Sequence, residues 1–72
     1  MMLSERLKQL RKAKSSSQVN TAAAVGVSIA QYQNYEYGKH EPTTSVLIAL
    51  ADYFDVSMDY LVGRTENPEV NR

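Results

Sequence analysis

SIAQYQNYEYGKHEP, residues 28–42, places three tyrosines within six residues and mixes them with glutamine and asparagine. On a helix at about 100° per residue the stretch separates into two faces. Tyr32 and Tyr35 share one face with Ser28, and rings of this size favour a core position. The opposite face carries small or amide-bearing residues and one tyrosine: Ala30, Gln33, Asn34 and Tyr37. The pattern therefore predicts a helix with a tyrosine core face and an uncharged amide face.

Residues around this stretch indicate where the helix begins and ends. Ser28 and Gln31 have the S-x-x-Q spacing of a capping box, and Gly38 supplies the positive φ that often follows a helix. Pro42 closes the loop beyond it. We therefore expect this helix over about residues 28–37.

The chain before this helix predicts two more helices. Ser4 is a candidate cap for the first, whose leucines recur at i, i+4 and i+7: Leu3, Leu7 and Leu10. Ser17 can cap a second helix over residues 18–25, because serine prefers caps to helix interiors. Gly26 ends that second helix.

The chain after Pro42 predicts a fourth and a fifth helix. Thr43 can cap the fourth, whose apolar face is Leu47, Leu50, Ala51 and Phe54. Ser57 lies at the start of a short fifth helix that Gly63 ends. The sequence thus predicts an all-α, compact five-helix domain over residues 1–63 and a flexible C-terminal tail over residues 64–72.

Composition narrows the class of protein. The 72 residues include no cysteine, which excludes disulfides and thiolate metal sites. No apolar run approaches the ~20 residues of a membrane span, and no signal-peptide pattern is present. We therefore expect a cytoplasmic protein without membrane association.

The net charge of zero is unevenly distributed. Residues 1–40 carry six Lys and Arg against two Glu, a net charge of +4, which leaves −4 on residues 41–72. A basic half favours a nucleic-acid partner, whereas the neutral total argues against one. The alternative is that the cations of residues 5–14 form only the solvated face of a helix.

The amide face of the third helix fits the chemistry of the DNA major groove. Asn and Gln can bind adenine through N6 and N7, and Ile29 and Ala30 offer apolar contact to a thymine methyl group. The alternative is a polar face exposed to solvent. The amides alone do not distinguish the two.

The order and spacing of these features resemble the lambdoid phage repressor and Cro type of helix-turn-helix domain, the xenobiotic response element family. The resemblance rests on Gln18 at the start of the second helix, Gly26 at the turn, E-x-G-K at 36–39 and V-S-x-D-Y-L at 56–61. It covers about residues 3–62. It implies that helices 2 and 3 form the helix-turn-helix and that helix 3 enters the major groove.

The resemblance also implies roles for individual residues. It implies base contacts from Gln18, Ser28, Ile29, Ala30, Gln33 and Asn34. It implies phosphate contacts from Tyr37, Lys39, His40 and Thr43. Glu36 is expected to form a structural ion pair with Arg11 of helix 1. Ser16 and Thr21 depart from the family pattern, which usually has apolar residues there, and we expect Tyr32 to fill the volume.

These observations together favour a sequence-specific transcriptional regulator, a repressor that binds double-stranded DNA as a homodimer. An apolar cluster at the fifth helix is the expected dimer interface: Met58, Tyr60, Leu61 and Val62. The alternative is an interaction module of the same fold, with a small antagonist or toxin protein as partner. We do not expect an enzyme, a cofactor or a metal site, because the sequence has no Ser-His-Asp set, Gly-rich phosphate loop or metal-ligand cluster.

Overall fold

A computed structural model describes residues 3–69 of the protein. Five α-helices occupy this part of the chain: α1 Leu3–Ala13, α2 Gln18–Val25, α3 Ile29–Glu36, α4 Thr44–Phe54 and α5 Met58–Leu61. No strand occurs between residues 3 and 69. The predicted all-α, five-helix fold is confirmed. Residues 1–2 of the predicted domain and residues 70–72 of the predicted tail lie outside the described residues.

Four of the five helices begin at a hydroxyl cap. Each cap has an extended backbone, and its side-chain oxygen accepts a hydrogen bond from the N–H three residues later: Ser17, Ser28, Thr43 and Ser57. The Gln31 side chain completes the capping box of α3 by accepting from the Ser28 N–H. Ser4 is not a cap, because α1 already includes Leu3 and Ser4 lies within the helix.

The ends of α2 and α4 use different residues for the same left-handed backbone. Gly26 ends α2 with φ 78°, a conformation that costs glycine little. Asp55 ends α4 with φ 55°, and aspartate is among the few other residues that adopt this region readily. The sequence pattern does not predict the Asp55 cap, because no glycine marks it.

The core lies where α3 packs against α1 and α2, with α4 against α2 and α5 closing against α1 and α4. Tyr32 and Tyr35 turn their rings inward, as the helical spacing predicts. The largest apolar side chains that are completely buried are Leu7, Leu50, Leu61 and Tyr32. The inward face of α3 thus packs in the core, and only its other face is available to a partner.

Hydroxyl groups stand at two positions, Ser16 and Thr21, where the family usually has apolar side chains. Ser16 Oγ lies 2.8 Å from Thr21 Oγ1 and 2.7 Å from Tyr53 OH. Thr21 Oγ1 also donates to the Ser17 carbonyl at 2.8 Å. Because Tyr53 belongs to α4, a hydrogen bond links this helix to Ser16. Tyr32 is completely buried, and that its ring fills the volume beside Ser16 and Thr21 stays a prediction.

Residues 64–69, part of the predicted tail, fold back onto the domain as irregular chain. The Ser57 N–H donates to the Pro68 carbonyl at 3.1 Å, and the Arg64 N–H donates to the Asp59 carbonyl at 2.7 Å. Glu66 Oε1 lies 3.6 Å from Arg6 Nη2. These contacts place the segment over α1 and the start of α5.

Candidate nucleic-acid interface

The outward face of α3 combines exposed apolar groups with half-buried amides. Ile29 and Tyr37 are 43% and 56% exposed, and Ala30 is exposed between them. Gln33 and Asn34 are half-buried on the same side of the helix. This face of α3 therefore lies at the surface of the domain.

A buried ion pair joins α1 to the end of α3. Arg11 Nε donates to Glu36 Oε2 at 2.6 Å and Arg11 Nη2 donates to Glu36 Oε1 at 3.3 Å. Glu36 is only 1% exposed, and Arg11 also donates to the Ser16 carbonyl at 3.2 Å. The two side chains that the sequence paired are therefore in bidentate contact, the geometry in which guanidinium and carboxylate interact most strongly.

The ion pair sets the charge state of both groups. Burial acts to raise the pKa of Glu36, but hydrogen bonds, led by the one from Arg11, outweigh it and hold the pKa below its ordinary value. The hydrogen bond to Glu36 raises the pKa of Arg11. Both side chains are consequently charged at neutral pH.

Two glutamines extend from this ion pair to the outward face. Gln18 Nε2 donates to Glu36 Oε1 at 3.2 Å. Gln33 Nε2 then donates to Gln18 Oε1, also at 3.2 Å. The structure thus brings Gln18 at the start of α2 beside Gln33 of α3, and it joins both to Arg11 and Glu36. We call these four residues the relay.

The remaining residues with expected base contacts lie around the relay. Ser28 is exposed, but its hydroxyl already accepts from the Gln31 N–H at 3.1 Å as the α3 cap. Ile29 and Ala30 begin the helix, and Asn34 lies one residue beyond Gln33. Ser28, Ile29 and Ala30 thus lie at the N-terminal end of α3, and Asn34 lies in its C-terminal half.

The residues expected to contact phosphates follow α3. Tyr37, Lys39, His40 and Thr43 are all exposed. The Lys39 and His40 N–H groups donate to the Asn34 carbonyl at 2.9 Å and 3.4 Å, which holds this loop against the end of α3. Thr43 is occupied as the cap of α4, where its hydroxyl accepts from the Val46 N–H at 3.4 Å.

The expected dimer residues do not all reach the surface. Leu61 is completely buried in the core and offers no side-chain surface to a partner. Met58 and Tyr60 are half-buried, and Val62 is 36% exposed. Of the four residues expected at a dimer interface, Leu61 is thus unavailable and the other three reach the surface.

Sequence reasoning missed the relay contacts of Gln18 and the burial of Arg6. Arg6 is only 2% exposed, so the cations of residues 5–14 do not all lie on a solvated helix face. Its place on the leucine side of α1 is the one signal in the sequence, since Arg6 precedes Leu7 and is four residues before Leu10.

Within residues 3–69 there is no group of three or more His, Cys, Asp or Glu side chains that could hold a metal ion. None of the helices in this range has the length and hydropathy of a membrane span.

The sequence model of the helix-turn-helix family matches residues 7–61, which is most of the chain and includes all of α2 to α5. The chain belongs to the helix-turn-helix family. Helices α2 and α3 form its helix-turn-helix, and the match begins within α1. The resemblance noted in the sequence is thereby confirmed.

Relatives with the same helix-turn-helix come from bacteria and a phage. The chain is 41% identical over 69 residues to the uncharacterized HTH-type transcriptional regulator YqaE of Bacillus subtilis (strain 168), covering 96% of this chain and 60% of the relative. It is 38% identical over 69 residues to the cryptic phage CTXphi transcriptional repressor RstR of Vibrio cholerae, covering 96% and 62%. The chain spans about three fifths of the length of these relatives.

Two solved structures, a phage repressor bound to an operator and a two-protein complex, share this fold. The P22 c2 repressor in complex with a synthetic operator matches with a TM-score of 0.82 and 31% identity, covering 86% of this chain and 94% of that one. The SinR protein/SinI protein complex contains a chain that matches with a TM-score of 0.79 and 29% identity, covering 85% and 60%.

Proposed function

We propose that the chain binds double-stranded DNA sequence-specifically and acts as a transcriptional repressor in the cytoplasm. In this proposal α3 lies in the major groove and α2 crosses the phosphate backbone. The proposal agrees with the functions named for two of its relatives, an HTH-type transcriptional regulator and a phage transcriptional repressor.

The observation that carries the proposal is the division of α3 into two faces. Tyr32 and Tyr35 are buried, so the aromatic rings are unavailable for stacking on bases. The outward face instead presents Ala30, Gln33 and Asn34, which are small or amide-bearing and carry no charge. An α-helix with such a face fits the major groove, where amides pair with adenine and methyl groups contact thymine.

The contacts divide into two roles. Gln18, Ser28, Ile29, Ala30, Gln33 and Asn34 are proposed to face base edges. Tyr37, Lys39, His40 and Thr43 are proposed to contact phosphates, which fix the position of the protein without reading sequence. Lys39 is the lysine of the second set, so its phosphate contact contributes to the salt-dependent part of binding.

The protein is further proposed to bind as a homodimer through Met58, Tyr60 and Val62. A two-fold dimer of this family places its two recognition helices one DNA turn apart, about 34 Å. The exposed apolar area at α5 is limited, because Leu61 is buried. The dimer is therefore expected to be weak in the absence of DNA, which sedimentation at increasing concentration would measure.

The test is a selection of bound sequences from random duplex DNA. We expect enrichment of a motif with two half-sites about one helical turn apart. The variant Ala30→Asp, which places a carboxylate on the outward face of α3, should lose binding. The matched variant Ile48→Asp, at an exposed apolar position of α4, should retain the same motif. No enriched motif with the parent chain, or loss of binding in both variants, would contradict the proposal.

A second proposed function, binding of a small protein antagonist, rests on the similarity to a chain of the SinR protein/SinI protein complex. It is compatible with DNA binding. Addition of the protein encoded beside this gene should then release the chain from its selected DNA. No release, with unchanged affinity, would leave DNA binding as the single function.

A further inference from the structure

The relay has a direction that its chemistry dictates. An ionised carboxylate only accepts hydrogen bonds, whereas a primary amide donates at one end and accepts at the other. Glu36 Oε1 therefore requires the Nε2 end of Gln18, which it receives at 3.2 Å. The orientation of the Gln18 amide follows from the charge on Glu36.

The same logic passes from Gln18 to Gln33. With Nε2 of Gln18 turned to Glu36, its other end, Oε1, faces Gln33 and can only accept. Gln33 must then present Nε2, and it does so at 3.2 Å. Glu36 is buried and held by two hydrogen bonds from Arg11, so its ionised carboxylate offers Gln18 only acceptor atoms.

After this contact the Gln33 amide still has one acceptor and one donor available. Among residues 3–69 no hydrogen bond reaches its Oε1, and one of its two N–H donors remains. Gln33 is half-buried on the same face as Ala30, so these groups border the outward surface of α3. One acceptor beside one donor is the pattern that pairs with N6 and N7 of adenine.

We propose that Glu36, acting through Gln18, is a positioning residue that fixes the Gln33 amide with Oε1 free, so that this position of α3 selects adenine. This inference rests on the proposed function, since it assumes that α3 lies in the major groove. It adds that the selection is set by Gln18, 15 residues away in sequence, and by a buried carboxylate that itself contacts no base.

Without the relay the Gln33 amide can turn over. Its Nε2 would then point toward the base. The two N–H donors of Nε2 suit the O6 and N7 acceptors of guanine, and not adenine. Loss of the relay should thus change which base is preferred at one position in each half-site. A purely structural role of Gln18 would change affinity for all sequences alike.

The test uses the full chain and four duplexes that differ only at the base pair read by Gln33. That base pair is identified as the one at which Gln33→Ala removes all preference. We expect the parent to favour adenine by roughly 5- to 150-fold, the range for a good bidentate contact. In Gln18→Ala the preference for adenine should fall to a few-fold or less, and affinity for the guanine duplex should rise most. Gln9→Ala, the same substitution at an exposed position of α1, should keep the parental ratio.

Glu36→Gln provides a second variant, because a neutral amide can donate or accept and no longer fixes the direction. It should also raise guanine relative to adenine, and its circular dichroism and melting show whether it is folded. An unchanged adenine ratio in folded Gln18→Ala would overturn the relay proposal, as would a Gln33→Ala variant with parental preferences at every position. If the parent distinguishes no sequence at all, the proposed function itself fails.

Discussion

Helix α1 carries a buried arginine, Arg6, and a half-buried one, Arg11, and the protein satisfies their charges in different ways. Arg11 makes two hydrogen bonds to the buried carboxylate of Glu36 and a third to the Ser16 carbonyl. Arg6 instead lies over the Tyr60 ring, with its guanidinium carbon 3.8 Å from the ring centroid. Within residues 3–69, Nε and Nη2 of Arg6 are buried without a hydrogen-bond partner.

The carboxylates differ as much as the arginines. Glu36 is 1% exposed, whereas the side chain of Glu66, which lies 3.6 Å from Arg6, is 84% exposed. A buried charge that loses its only partner is costly, whereas an exposed partner is readily replaced by water. The comparison teaches that burial of an arginine does not by itself indicate a strong ion pair. At Arg6 the ring and the packing of the aliphatic stem account for much of the interaction.

The largest effect is expected from Arg11→Met, which leaves Glu36 buried without its cation. Breaking a buried pair in this way costs about 3–5 kcal/mol in the free energy of unfolding. Urea denaturation followed by circular dichroism measures it. Lys12→Met, the same change at an exposed neighbour, should lie within about 0.5 kcal/mol of the parent. An Arg11→Met variant as stable as Lys12→Met would show that the pair contributes little.

Acid should lower the free energy of unfolding by less than Arg11→Met does, because protonation removes the charge of Glu36 but not its side chain. The folded-state pKa of Glu36 lies below the ordinary glutamate value of 4.5. Its contribution to stability is therefore complete above that value and is lost as the pH falls through the folded pKa. Parent and Glu36→Gln should consequently differ most in unfolding free energy near neutral pH and converge below pH 4.5. A difference that grows toward low pH would contradict the direction of this pKa shift.

Arg6→Met should destabilise the protein by less than Arg11→Met, at most about 2 kcal/mol. The variant loses a cation–π contact, which is worth about 2 kcal/mol when desolvated, but it also removes two buried donors without partners. Methionine keeps most of the packing volume beside Tyr60. The same denaturation experiment compares the two variants directly, and a larger loss at Arg6 than at Arg11 would reverse the comparison.

The smallest effect is expected from Glu66→Ala. An ion pair with one largely exposed partner contributes about 0–1 kcal/mol, and added salt weakens it further. The unfolding free energy should thus change by less than about 1 kcal/mol at moderate ionic strength. A loss as large as that of Arg11→Met would show that the segment at residues 64–69 secures the domain through Glu66.

Helix caps and helix faces could be predicted from the sequence, because both depend on residues only a few positions apart. Hydroxyl caps such as Ser28 act on backbone three residues away, and the spacing of Tyr32 and Tyr35 defines one helix face. The pairing of Arg11 with Glu36 could be anticipated only through the family resemblance, because 25 residues separate them.

The remaining features depend on how the helices meet in space. Burial of Arg6 requires Tyr60 and the folded-back segment at residues 64–69, none of which α1 alone reveals. The direction of the relay depends on the approach of Gln18 to Glu36 from a different helix. Side-chain contacts between distant elements follow tertiary packing, and a periodicity in one segment carries no information about them.

The central claim is that α3 reads bases while the loop after it contacts phosphates. The most direct test is the salt dependence of binding to a selected site and to random duplex, measured for the parent, Asn34→Ala and Lys39→Ala. Asn34→Ala should reduce the ratio of specific to random affinity, by about 1–3 kcal/mol if its contact is bidentate, and leave the slope of log K against log salt unchanged. Lys39→Ala should weaken both affinities alike and lower the slope by about 1. The opposite result, with Asn34 changing the slope and Lys39 the ratio, would contradict the placement of α3 in the major groove.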